Sequence, residues 1–114
     1  RLVGDDVAVI ALNSSKPNPI PWHSNGRVPQ EQLDALEEIL QDPRIKDRYI
    51  FVMTHYAPRL ANGEPDTKLH GLINADDLLK KCKAIESGAI LCGHVHKTYQ
   101  VKLDDLNCNI FCAG

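Results

Sequence analysis

Three short apolar runs constrain this chain more than any other feature: residues 7–12 (Val-Ala-Val-Ile-Ala-Leu), 49–53 (Tyr-Ile-Phe-Val-Met) and 89–92 (Ala-Ile-Leu-Cys). Each has the length of a strand, and the first reads as a strand covered on both faces. Helical patterns lie between them. Pro29 is expected to open the first helix, where its missing N–H costs nothing. Leu33, Leu36 and Leu40 share a stripe with Ile39 beside it, Glu31, Asp34, Glu37 and Glu38 face away, and Pro43 ends the helix. Asn74 is expected to cap a second helix, with Asp76 and Asp77 in its first turn, Lys80, Lys81 and Lys83 toward its end, and Leu78, Leu79, Cys82 and Ile85 buried. Gly88 is expected to terminate that segment. Residues 98–103 and 108–111 flank Asp104-Asp105-Leu106-Asn107, which reads as a β-hairpin. The order is that of an α/β layered domain.

The chain has 114 residues, one domain's worth, and a formal charge of −2 that gives no nucleic-acid footprint. No apolar run approaches the ~20 residues of a membrane span, and no signal peptide is visible. The four cysteines form no C-x-x-C pair. Cys82 and Cys92 lie in apolar patterns, Cys108 and Cys112 fall on one face of a strand-like run, and a reducing cytoplasm is the expected setting.

Chemistry concentrates at the ends of two apolar runs. Residues 89–92 lead into Gly93-His94-Val95-His96, and residues 49–53 lead into Thr54-His55-Tyr56-Ala57-Pro58. Functional groups in parallel α/β sheets collect at the carboxyl ends of strands. Gly93 is expected to let the backbone turn where a Cβ would obstruct close approach. Neutral imidazole is a good ligand for zinc, iron and manganese, so His55, His94 and His96 are candidate metal ligands. Gly4-Asp5-Asp6 reads as a turn before Val7, and Asn13 and Asn62-Gly63 as turn residues.

Gly93-His94-Val95-His96 and His55-Tyr56-Ala57-Pro58 resemble the last two metal motifs, G-H-x-H and H-x-x-P, of the calcineurin-like metallophosphoesterases. The resemblance implies half of an αββα sandwich, alternating strands and helices and ending in a hairpin. In a whole domain two such halves pack sheet against sheet. Residues 1–114 would be the carboxyl-terminal part of one domain, whose D-x-H, G-D and G-N-H-[DE] motifs lie outside them. It implies two divalent or trivalent ions (Mn, Fe or Zn), with His55 and His94 on one and His96 on the other. The activity it implies is hydrolysis of a phosphodiester or phosphomonoester by metal-bound hydroxide, with these residues inactive alone and no catalytic side chain secure among them. His70, in a segment similar to one in some bacterial members, Arg59 after Pro58, and His23 in the loop at 13–28 are substrate-side candidates. The alternative is a non-catalytic protein-interaction module on the same fold.

Overall fold

The computed structural model describes residues 2–4, 6–16, 18 and 24–114. The element order is β1 (Leu2–Val3), β2 (Val7–Ala11), α1 (Gln30–Gln41), α2 (Pro43–Lys46), β3 (Tyr49–Tyr56), α3 (Ala75–Cys82), β4 (Gly88–Gly93), β5 (Thr98–Val101) and β6 (Asn109–Ala113). Among the described residues the strands form one sheet in the order β1-β2-β3-β4-β6-β5. The four central strands are parallel, and β1 and β5 are antiparallel edges. The mixed α/β architecture matches expectation, including the closing hairpin. The chain passes over one position to put β6, not β5, against β4.

From β2 to β3 to β4 the chain steps one strand at a time in one direction. Right-handed crossovers then place both connecting helices on the same face, and α1 packs beside α3. Ile10, Ile50, Val52, Ile90 and Ile110 point into this layer and meet Leu33, Leu36, Leu40, Leu78 and Leu79, all buried. Period-2 alternation sends the intervening side chains to the other face. There, Ala11, Met53, Leu91, Phe111 and Gln100 stand in register as one row across five strands. They line an open, mostly apolar trough of about 890 Å³. Met53 is 43% exposed and Phe111 36%. The first apolar run is therefore covered on one face, not two, because both crossovers put their helices on the same side of the sheet.

Local expectations are met in part. Gly4, with φ +65°, turns the chain between β1 and β2, while Asp5 lies outside the described residues. Pro29 stands one residue before α1. Pro43 follows the end of α1 and begins the short α2. Asn74 precedes α3 without capping it. Its Oδ1 accepts from the Val28 N–H and its Nδ2 donates to the Val28 carbonyl, so the amide ties the 13–28 loop to the helix start instead. Ile85 is fully buried, beyond the end of α3. Gly88 does not end the helical segment but starts β4, where a Cβ would collide with the Ile50 carbonyl.

All four cysteines are free and buried. Burial pushes the Cys82 and Cys92 thiols up to about 12 and also raises that of Cys108. Thiolate is the reactive form, so native protein at pH 8 should be labelled by a thiol reagent only as fast as it unfolds. Rapid stoichiometric labelling without denaturant would contradict this packing. Ile90, with no exposure, and Met53 on the bare face should differ in cost. Ile90→Ala should destabilise by about 2–5 kcal/mol. Met53→Ser should change the urea midpoint of these 114 residues by no more than about 0.5 kcal/mol equivalent.

Candidate functional site

The site lies at the carboxyl ends of β3 and β4. Pairing between them runs in step to Met53 and Leu91, then shifts, so that Tyr56 meets Gly93. The irregularity falls at Thr54 and His55. Bulges of this kind re-aim side chains next to functional sites. His55 is exposed toward the bare face, at the rim of the apolar trough, and Tyr56 turns inward. The Thr54 hydroxyl is buried without a partner among the described residues.

After β4 the backbone enters the left-handed region twice, at His94 (φ +72°) and His96 (φ +61°). Non-glycine residues pay of order 1–3 kcal/mol for such conformations, which cluster at functional sites. Gly93 plays no such part. Its φ is ordinary, and a Cβ there would meet only the Gly114 and His55 carbonyls at 3.7 and 3.8 Å. The expected close approach is absent, and the turn is made by the histidines themselves.

The His94 ring is the centre of a cluster. Its centroid lies 5.1 Å from that of His55, 4.3 Å from that of Tyr56 and 4.3 Å from that of His70, which stacks on it at 29°. Its Nε2 is 2.9 Å from the His70 carbonyl oxygen. Burial draws its pKa below the ordinary 6.5; the neighbouring His70 and His55 act in the same sense, while the His70 and Ser24 backbone oppose. His96 projects from the exposed part of the turn. The structure thus gathers His55, His70 and His94, with His96 two residues along the same turn.

Arg59, a substrate-side candidate, is placed outside this cluster. The Arg59 guanidinium is 2.5 Å from Asp76 Oδ1 and also donates to the Pro58 carbonyl, so it is already engaged. His23 lies outside the described residues.

One participant escaped sequence reasoning. Asp66 Oδ2 is 2.5 Å from His70 Nδ1, and its Oδ1 accepts from the Thr67 N–H. An aspartate that bonds the following backbone and stands four residues before a histidine is a readable turn signal, but the segment lacks any periodicity that would have drawn attention to it.

Paired imidazoles suit a first-row transition metal in kind. No group of three or more His, Cys, Asp or Glu side chains able to hold an ion is assembled among the described residues. The described residues thus offer imidazole donors of a suitable kind, His55 and His94 edge to face with centroids 5.1 Å apart, without a complete set.

A lowered histidine pKa has a defined linkage to stability. The unfolded chain takes up the His94 proton first, near pH 6.5, so stability is full above that value and falls as pH drops through the lower native value. His94→Asn removes the titration while keeping a residue that tolerates positive φ. The variant's unfolding midpoint should fall less than the parent's between pH 7.5 and 5.5, and parallel curves would refute the assignment.

No family model matches this sequence, and no curated protein matches it. Among solved structures it is similar to a dimetal phosphatase from Danio rerio, with a TM-score of 0.61 and 16% identity over 76% of this chain. The match covers 27% of that phosphatase, so the chain spans about a quarter of its length. No described helix is long and apolar enough to cross a membrane. The likeness is one of fold: an α/β sheet with its helices on one face, shared with part of a dimetal phosphatase.

Proposed function

We propose that this chain is the histidine-bearing, carboxyl-terminal part of a calcineurin-like dinuclear-metal phosphoesterase. One observation carries the reading. The His55 and His94 rings meet edge to face with centroids 5.1 Å apart, at the carboxyl ends of adjacent parallel strands, on a fold shared with part of a dimetal phosphatase. In this reading His55 and His94 hold one ion and His96 the other, the ions being divalent or trivalent Mn, Fe or Zn. Bound there, the ions would supply Lewis-acid activation of water and neutralise charge developing on phosphoryl oxygens.

The protein's own residues hold and aim the donors. The alternation of β3 sets His55, and the two left-handed residues set His94 and His96. His70, half-exposed beside His94, is the substrate-side group, with a phosphodiester or phosphomonoester as substrate. Arg59 joins only if Asp76 releases it. The buried free thiols support a cytoplasmic setting. The remaining donors belong to the rest of the domain, so these 114 residues alone should be inactive.

Elemental analysis of untagged protein prepared without chelators, paired with hydrolysis of bis(4-nitrophenyl) phosphate, tests the reading. His94→Ala with His96→Ala should lose metal and lower hydrolysis by more than the ~10–100-fold typical of outer-shell changes. Hydrolysis at an intact enzyme's rate by the isolated 114 residues would overturn the partition of the site. A whole protein that neither binds metal nor hydrolyses the ester would move the assignment to a protein-interaction module on the same fold.

A further inference from the structure

The dipeptide Asn-Gly occurs twice, at Asn25-Gly26 and Asn62-Gly63. Asparagine is among the chemically labile side chains. A following glycine has no Cβ to keep its own nitrogen from reaching the asparagine side chain. The two copies sit in opposite surroundings.

Asn25 is 5% exposed. Its Nδ2, the group that would leave, donates to the Lys68 carbonyl, 43 positions away. The Gly26 N–H, the group that would attack, donates to the Gly71 carbonyl at 3.1 Å, and Gly26 forms a parallel bridge with Leu72. A Cβ at Gly26 would lie 2.2 Å from the Tyr56 ring, so this backbone is packed as well as bonded. Freeing the two reacting groups means parting residues 24–26 from residues 68–72.

Asn62 is exposed at the tip of the connection between β3 and α3. Its Oδ1 accepts from the Glu64 N–H at 3.0 Å, which draws electrons from the Cγ carbonyl. Its Nδ2 has no partner among the described residues. Gly63 has φ +84°, and an added Cβ would meet nothing nearer than Leu103 at 3.9 Å. The Gly63 N–H donates to the Leu60 carbonyl and the Leu60 N–H to that of Glu64, so these bonds close within five residues. Exposed turns with few long-range contacts open at a small fraction of the global unfolding free energy.

We propose that Asn62 is a modification site that converts spontaneously to aspartate and isoaspartate, while Asn25 is shielded in the folded protein. The Gly63 nitrogen bonds to Asn62 Cγ and gives up its proton, and Nδ2 leaves as ammonia. Water then adds to either carbonyl of the cyclic imide, breaking that carbonyl's bond to the ring nitrogen and leaving one new carboxylate. Before the change, the 57–74 connection balances Arg59 and Lys68 against Glu64 and Asp66; afterwards it carries one net negative charge. The isoaspartyl product also adds a methylene to the backbone, so the bonds that close the Leu60–Glu64 turn must be remade.

Peptide mapping of folded protein incubated at pH 8 tests this, with isoaspartate read by enzymatic carboxyl methylation and a urea-unfolded sample as reference. In the folded protein Asn62 should convert at least about 10-fold faster than Asn25, a ratio set by the difference in local opening. In urea the two rates should converge. Asn62→Gln should abolish the isoaspartate signal of the folded protein without moving its urea midpoint. Any smaller ratio overturns the proposal. Fast conversion of both would mean that residues 24–26 are not held, and slow conversion of both that the Leu60–Glu64 turn shields Asn62. Each outcome is independent of whether the histidines bind metal.

Discussion

The sheet has one covered face because its crossovers have one hand. Two successive right-handed connections, each moving to the next strand on the same side, leave no freedom to put α1 and α3 on opposite faces. That single constraint decides where the core lies and which residues of each strand are aliphatic and buried. It also decides that Met53, Leu91 and Phe111 form a surface rather than an interior. The candidate site inherits its position from the same source. His55 extends the bare-face series of β3, so it opens onto the trough.

Strain at the end of β4 belongs to the same economy. A strand ending in a glycine that needs no special conformation, followed by two histidines that adopt one, is an inversion of the usual division of labour. The conformational penalty is tolerated where surrounding contacts over-determine the backbone. Here they do: Val95 N–H returns to the Gly93 carbonyl, Tyr56 packs on the His94 ring, and the 66–71 turn holds its far edge.

Much of this was legible in the sequence, for identifiable reasons. Continuous apolar runs marked the central strands, and 3.6-residue stripes marked α1 and α3, because both periodicities are imposed by burial. The hairpin announced itself by its Asp- and Asn-rich turn. The histidines stood out because they follow strands directly. What stayed hidden depends on long-range contact. Asn74 has the residue type of a cap but spends its amide on Val28, 46 positions away. The role of Gly88 is set by a carbonyl on β3, and that of Gly71 by the side chain of Asp66. One-sided burial follows from strand order, which the pattern within a strand does not encode.

The 66–71 turn shows how little sequence is needed to tune a histidine once the fold supplies a rigid frame. His94 has two nitrogens of similar basicity, and nothing in its own segment chooses between them. The His70 carbonyl faces Nε2, in a turn whose carboxylate–imidazole pair fits because position 71 lacks a Cβ. Since a carbonyl cannot donate, the nitrogen that faces it carries the proton, whatever residue supplies the carbonyl. The side chains of Asp66 and His70 matter to His94 through where they put that oxygen. The orientation of the His94 imidazole is therefore set by contacts from another segment, a carbonyl on Nε2 and a stacked ring, and not by its own.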